Sequence, residues 1–400
     1  MSLRTQGRAH APSGGRIEQL DSVRGLAALS VVICHILNVM PAVWNAYLGH
    51  ETEPTVAWLL LPPTFLFWAG HAAVLLFFTL SGYVLFLPTL QGRQPAYPTY
   101  ALKRFCRIYI PYAVAVLGTM ACAAFFARSG FDELSEWFRS SWTKPVETQN
   151  IVEHLLLLPA FPTLDFNNAI WSLVHEMRIS LIFPLLAWAV LRWNWKWSLG
   201  VAFAVSLAGC AVPKLHPSLK GLEDYGLTLH YASMFTLGAL LAKHADAIQT
   251  TIRGLRPTTW TALVACGFLL YLFEGLYAPA RMGRRMHQYE YVTALGACVL
   301  IVCATSAEWL RAKFPVWLGR ISYSLYLWHL PVLLTIVHLG YGRAPLWVLL
   351  PASIVASLAV AEAMYRFVEE PSIRLAKRVG SKRRAVSTPQ SLVAAPAVTA

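Results

Sequence analysis

Ten apolar segments, each near the length of a membrane-spanning helix, constrain this chain more than any other feature. Only 13% of its 400 residues are charged and its mean hydropathy is +0.50, whereas a soluble chain carries about a quarter charged residues. A helix of about 20 apolar residues crosses the hydrocarbon core of a bilayer and satisfies its own backbone hydrogen bonds. The sequence therefore predicts an all-α fold, a polytopic membrane helix bundle of about ten transmembrane helices. The segments lie near 20–40, 70–88, 109–127, 170–191, 197–213, 226–243, 258–277, 288–307, 317–339 and 345–368.

The distribution of basic residues predicts the orientation of the chain. With a cytoplasmic N-terminus, most of the 33 Lys and Arg residues fall on the cytoplasmic side, which is the positive-inside pattern. This pattern accounts for the net charge of +13, so the charge does not require a nucleic-acid-binding function. Arg281, Arg284 and Arg285 are the exception, because they fall on the predicted outer side. We expect a cytoplasmic tail at 1–16, one membrane domain at 17–375 and a basic, disordered cytoplasmic tail at 376–400, in a bacterial cytoplasmic (inner) membrane.

The cysteines and the longest loop provide less information about fold and function. Seven cysteines are scattered without a Cys-x-x-Cys pair, so neither a disulfide framework nor a zinc site is indicated. No metal and no permanently bound cofactor are predicted. The longest connection, 128–169, is predicted to be external and contains a stretch, IVEHLLLLPAF, that is too short to cross a bilayer. It is expected to form an interfacial or re-entrant helix, in a loop that either closes over a site or is simply solvated.

The first apolar segment carries two polar residues on one face. Arg24 lies at its charged edge and His35 eleven residues further on, so a helix directs both side chains to nearly the same side, about 16 Å apart. An imidazole at that depth is a functional candidate by default. The alternative is a histidine that only forms a hydrogen bond between helices.

Four polar residues from four segments come out at a similar depth. Ser81 lies in the second segment and Glu176 in the fourth, while His329 ends a polar stripe that begins at Ser322 and Tyr326. Together with His35, they are expected to share one cavity. The alternative role for Ser81, which lies next to a glycine, is helix packing. The alternative for His175, Glu176 and Arg178 is a set of structural ion pairs, with Glu176 and Arg178 pointing to different sides.

Two basic or mixed-charge clusters lie at the predicted cytoplasmic edge. Arg24, with Lys103, Arg104 and Arg107, forms a rim suited to phosphates, of lipid head groups or of a nucleotide-bearing donor. The segment AEAMYRFVEEP places four polar residues on one face of the tenth helix, with Pro371 ending it. That face is interpreted as a solvated helix end. Its residues are Glu362, Tyr365, Arg366 and Glu369.

Six motifs in order make the chain resemble the acyltransferase-3 family of integral membrane O-acyltransferases, from about residue 17 to 375. They are LDSVRGLAALSVVICHI, FFTLSGYVL, LKRFCRIYIPY, WSLVHEMRISLIFPLL, GRISYSLYLWHLPV and YRFVEEPSIRL. Many members carry an additional C-terminal esterase-like domain, which this chain does not show, so the membrane domain or a separate partner is expected to acylate the acceptor.

The resemblance implies roles for individual residues. It places Arg24, His35 and Glu176 in the reaction, and Arg104 and Arg107, joined by Lys103, at the cytoplasmic donor, acetyl-CoA or another acyl-CoA. The expected substrate cavity is built from the matched segments and comprises Ser81, Tyr83, Trp171, Ser172, Ser322, Tyr326 and His329.

The resulting hypothesis is an O-acetyltransferase in which His35 acts as general base on an acceptor hydroxyl, with Glu176 orienting His35 or the acceptor. A covalent acyl-histidine is the mechanistic alternative. The acceptor is a glycan such as lipopolysaccharide or another polysaccharide, a lipid-linked glycan or a small molecule; its identity, the acyl chain and the oligomeric state are left open. A proton-coupled transporter or flippase using the same residues is the main functional alternative, and a non-catalytic assembly or sensor protein is the third.

Overall fold

The computed structural model describes residues 17–50, 52–215, 217–273, 275 and 287–386. The predicted N-terminal tail, the three arginines at 281, 284 and 285, and residues 387–400 lie outside the described residues. Within the described ranges the chain is helical and contains no strand. The predicted all-α fold is therefore confirmed.

Each of the ten predicted apolar segments coincides with a helix. The helices are α1 Glu18–Leu37, α2 Gly70–Leu90, α3 Tyr97–Phe126, α4 Trp171–Arg192, α5 Trp195–Leu215, α6 Glu223–Lys243, α7 Pro257–Tyr271, α8 Gln288–Ala304, α9 Lys313–Gly340 and α10 Leu346–Met364. A π-helical turn at Tyr365–Glu369 joins α10 to a last helix, α11 Glu370–Val386.

Seven stretches of the described chain are long and apolar enough to cross a membrane. They are Glu18–Leu37, Gly70–Leu90, Tyr97–Phe126, Asn168–Arg192, Trp195–Val212, Lys313–Gly340 and Leu346–Arg378. Of the other three predicted spans, α7 and α8 have 15 and 17 residues, below the length of about 20 that spans a bilayer core. The third, α6, has 21 residues and includes Glu223, Asp224 and His230. The chain is a multi-pass membrane protein.

Shorter helices lie between the long ones. They are Pro41–Leu48, Pro62–Phe65, Glu136–Arg139, Thr148–Leu156 and Ala245–Arg253, with 3₁₀ turns at Ala57–Leu60, Leu66–Trp68, Asn168–Ile170, Pro217–Leu222 and Glu308–Arg311. The helix Thr148–Leu156 is the one expected within IVEHLLLLPAF, and it begins with a capping box between Glu147 and Asn150.

Glycines allow the central helices to approach closely. A Cβ on Gly25 of α1 would meet the backbone of Gly319 on α9, and a Cβ on Gly82 of α2 would meet the backbone of Phe235 on α6. Small residues at such crossings let backbones pack directly, which is how helices associate in lipid. These two crossings hold α1 against α9 and α2 against α6, and α1, α2 and α9 all line the site described below.

The C-terminal end of the bundle differs from the prediction in two ways. Pro371 does not end the helix; it lies just after the π-helical turn, in a helix that runs without a break from α10 into α11. The helix also continues to Val386, so the beginning of the segment predicted as a disordered tail is helical.

Candidate functional site

A cavity of about 350 Å³ opens among α1, α2, α3, α4, α9, the π-helical turn and α11, within the size range of small-molecule sites. Its apolar wall includes Val74, Phe77 and Phe78. Its charged and polar lining comprises Asp21, Arg24, Ser81, Arg104, Arg107, Ser172, Glu176, Arg320, Ser322, Tyr323, Tyr326, Tyr365, Glu369 and Lys377.

Cationic groups outnumber anionic ones in this lining. Arg104 and Arg107 lie one turn apart on α3, so both side chains face the cavity. Arg24 of α1 faces the same cavity. Two further cations, Arg320 and Lys377, complete the set, whereas Lys103 does not line the cavity. With five cations against three carboxylates, the cavity favours an anionic ligand.

Glu176 is held in the cavity wall by two neighbours. Its Oε1 lies 3.4 Å from a guanidinium nitrogen of Arg104 and accepts a hydrogen bond from Ser81 at 3.5 Å. Arg104 also donates to the Ser180 hydroxyl at 2.8 Å. The Glu176 side chain is 22% exposed, so the carboxylate balances a largely buried arginine and still reaches the cavity.

A hydrogen-bonded pair of hydroxyl groups lies where α4 and α9 meet. The Ser172 and Tyr326 oxygens are 2.7 Å apart, and Phe77 packs edge-on against the Tyr326 ring at 5.7 Å. Both hydroxyl-bearing residues line the cavity, together with Ser81 and Ser322.

Glu369 belongs to the site, although its sequence context indicated a solvated helix end. It is 7% exposed, and its Oε2 accepts hydrogen bonds from the Ser324 amide at 3.2 Å and the Ser324 hydroxyl at 2.6 Å. The π-helical turn changes the register of α10 and turns this carboxylate towards α9. Single π turns inside helices often occur at functional sites.

His35 forms a pair with His329. The His35 Nδ1 and His329 Nε2 atoms are 2.8 Å apart, and the two ring planes are nearly parallel, at 7°, with centroids 5.1 Å apart, so the rings lie edge to edge. His329 Nδ1 lies 3.1 Å from the Leu325 carbonyl oxygen and must donate to it, because that oxygen can only accept. In neutral His329 the Nε2 atom is then the acceptor, so the proton between the rings belongs to His35 Nδ1. This arrangement leaves a lone pair on His35 Nε2.

The histidine pair does not line the cavity, which corrects the expectation of one shared cavity. Of the predicted lining residues, His329, Trp171 and Tyr83 also lie outside its wall. His329 is connected to the cavity through Tyr326, whose ring centroid is 5.9 Å away. Glu176 contacts Arg104 and Ser81, so within the described residues the partner that orients His35 is His329.

The long loop closes over His35. Trp137 of this loop stacks on the His35 ring at 5.3 Å, and Ser135 bonds to the end of α1, its hydroxyl donating to the Asn38 carbonyl and its amide to the Val39 carbonyl. Trp137 is 8% exposed. Of the two interpretations of this loop, the structure favours closure over a site.

Arg178 and His175 belong to a separate polar cluster. Arg178 pairs with Asp224 at 2.5 Å and donates to the Leu158 carbonyl at 2.8 Å, and His175 bonds to the Thr228 hydroxyl at 2.9 Å. Glu176 points away from this cluster, as the two-residue spacing predicted. These contacts are the structural ion pairs considered from the sequence.

Comparison with known proteins identifies related sequences. A family model described as an acyltransferase domain matches residues 17–366. The peptidoglycan O-acetyltransferase OatA of Listeria monocytogenes is 23% identical over 331 residues, covering 76% of this chain and 52% of that protein. Acyltransferase MdmB of Streptomyces mycarofaciens is 26% identical over 400 residues, covering 93% of this chain and 95% of that protein. This chain thus spans about half the length of the Listeria protein. No solved structure matches it.

Proposed function

The chain belongs to this acyltransferase family, and from that membership we propose that it moves an acyl group, acetyl in the simplest case, from a cytoplasmic acyl-CoA to a hydroxyl group. The acceptor is a cell-surface glycan or a related molecule. Membership in a family of acyltransferases favours an enzyme over the transporter and over the assembly protein that the sequence alone left open.

The pairing of His35 with His329 carries this proposal. A general base needs an unprotonated nitrogen that faces away from its own support, and the bond to His329 reserves Nε2 of His35 for that task. An imidazole suits proton transfer near neutral pH, and such assistance is typically worth about 10²–10⁴-fold in rate. His329 acts on His35 and not on the substrate, which makes it a positioning residue.

In the proposed reaction the acceptor hydroxyl gives its proton to His35 Nε2, and its oxygen attacks the thioester carbonyl carbon. The C–S bond breaks and the sulfur of coenzyme A leaves, taking the proton from the His35 imidazolium. One ester and one thiol form, and the histidine returns to its neutral state. In the acyl-histidine alternative, Nε2 itself attacks the thioester, and the acceptor hydroxyl attacks in a second step.

The cavity is the proposed donor site. Guanidinium groups bind phosphates through paired, charge-assisted hydrogen bonds, and three arginines from α1 and α3 line this cavity. Glu176 would hold Arg104 in place. The thioester would then point past Tyr326 towards His35, with the arginine end of the cavity on the cytoplasmic side and both termini in the cytoplasm of a bacterial inner membrane.

The acceptor would approach from the opposite end, beneath Trp137. The Listeria relative is named for acetylation of peptidoglycan, which supports a glycan acceptor in this chain. Lipid-linked glycans and small molecules with hydroxyl groups share the same reacting group, so the chemistry at His35 is common to all three.

The proposal is tested with the purified chain in nanodiscs and acetyl-CoA carrying a labelled acetyl group. Wild type is expected to bind acetyl-CoA and to release coenzyme A slowly, with water as the surrogate acceptor. His35→Ala should bind it equally well and lose about 10²-fold or more of the release rate. His244→Ala is the matched control, because it removes an exposed imidazole outside the site.

Three outcomes separate the parts of the proposal. If wild type neither binds nor cleaves acetyl-CoA, the donor assignment is wrong. If His35→Ala cleaves at the wild-type rate, the base assignment is wrong. Label that remains on His35 after rapid denaturation at neutral pH would replace the direct transfer with the acyl-histidine path.

A further inference from the structure

A second group of polar side chains converges at the end of α2 remote from the arginines. His71 lies in the first turn of this helix, ten residues before Ser81 and about 15 Å from it along the axis. The group is named the His/Glu cluster, and it consists of His71 from α2, His230 from α6, His287 at the start of α8 and Glu290 in the first turn of α8.

Both carboxylate oxygens of Glu290 face imidazole nitrogens. Oε2 lies 3.0 Å from His230 Nε2. Oε1 lies 3.1 Å from His287 Nδ1 and 3.6 Å from His71 Nε2. The ligand atoms of His230, His287 and Glu290 all lie within 4.8 Å of one another. In a tetrahedral zinc shell with bonds of about 2.0–2.2 Å, neighbouring donor atoms are about 3.3–3.6 Å apart. The nitrogen–oxygen distances of 3.0, 3.1 and 3.6 Å are near that range, and the ligand atoms that are further apart would close in around the ion.

The surroundings of the cluster suit a bound ion. The Glu290 and His230 side chains are 3% and 1% exposed, whereas those of His287 and His71 are 15% and 20% exposed. The buried pair would anchor an ion, and the two partly exposed rings leave a path for its entry. His230 Nδ1 bonds to the Ser206 hydroxyl at 2.7 Å, the kind of outer contact that orients a histidine ligand.

We propose that the His/Glu cluster binds one divalent transition-metal ion, with zinc as the expected occupant. Imidazole and carboxylate together suit first-row divalent metals. His230, His287 and Glu290 already offer three ligand atoms close together, and His71, whose Nε2 lies 3.6 Å from Glu290 Oε1, would move in as the fourth ligand. The ion would tie together α2, α6 and α8. The sequence predicted no metal, because these ligands are dispersed between positions 71 and 290 and include no cysteine.

The test uses the full chain without a polyhistidine tag, in nanodiscs, stripped with a chelator and then loaded with Zn²⁺ or Co²⁺. We expect about one ion per chain by elemental analysis and the ligand-field absorption of four-coordinate Co²⁺. Glu290→Gln and His71→Gln should bind at least about tenfold more weakly. His244→Gln, an exposed histidine fourteen residues beyond His230 on the polypeptide, should bind like wild type.

Wild type that retains no stoichiometric ion after dialysis would overturn the proposal, and so would variants that bind like wild type. The cluster would then be a buried carboxylate held by imidazole N–H groups. If Glu290→Gln fails to fold, wild type and His71→Gln still decide, because His71 is partly exposed. Neither readout depends on acyl transfer.

Discussion

Replacing His329 by leucine isolates the support of His35 from the rest of the site. His329 is 1% exposed, and leucine fills a similar apolar volume but cannot accept the proton of His35 Nδ1. That bond joins two neutral rings in the resting state and becomes charge-assisted when His35 takes the acceptor's proton. A neutral hydrogen bond contributes about 0.5–1.5 kcal/mol and a charged one about 1.5–3 kcal/mol.

The difference, about 1–2 kcal/mol, is gained only as the reaction proceeds, so it is expected to change kcat and not donor affinity. At 1.36 kcal/mol per factor of ten, His329→Leu should release coenzyme A roughly 5- to 30-fold more slowly than wild type, with an unchanged Kd for acetyl-CoA. His329→Gln retains a carbonyl acceptor and should recover part of the rate. The assay is stopped-flow detection of free thiol alongside equilibrium binding. A wild-type kcat in His329→Leu, or a loss seen only in Kd, would refute the reasoning.

Three further predictions concern the donor site and the packing. Arg107→Ala should raise the Kd of acetyl-CoA about tenfold by removing a charged phosphate contact; Arg366→Ala, outside the cavity, should not, and equal effects would remove the arginine from the donor site. Gly82→Ala should cost about 1–3 kcal/mol of stability, because its Cβ meets a backbone. Gly200→Ala, where nothing lies within 4 Å, should be neutral in the same thermal melt; matched losses would contradict the packing argument. Arg178→Met should lower the melting temperature through its lost ion pair and leave acetyl-CoA affinity unchanged, and a weakened affinity would place Arg178 at the donor.

Local pattern was enough to predict the helices and part of the site. Hydropathy located the helices α1–α10 because a bilayer selects apolar runs, although α7 and α8 are shorter than a full span. Helical spacing correctly grouped Arg104 with Arg107 and separated Glu176 from Arg178, because those relations depend only on 3.6 residues per turn.

Relations between distant helices were not predictable in the same way. Position along a helix placed His35 at the same depth as Ser81, but it did not show which neighbouring helix each side chain faces. The structure therefore separates the single expected cavity into a cavity lined by Ser81 and a histidine pair outside it. Glu369 reaches the site because of a π turn that hydropathy does not reveal. The His/Glu cluster requires three helices to meet at their ends, and no local spacing indicates that contact.

The central claim is that acyl groups pass from cytoplasmic acetyl-CoA to a hydroxyl through chemistry at His35. The most direct measurement follows label from acetyl-CoA into the glycan and lipid fractions of sealed membrane vesicles containing this chain. The account predicts alkali-labile, ester-linked label with wild type and with His244→Ala, reduced at least about a hundredfold with His35→Ala. Equal ester formation by His35→Ala at equal protein level, or no ester in wild-type vesicles that consume acetyl-CoA, would contradict it.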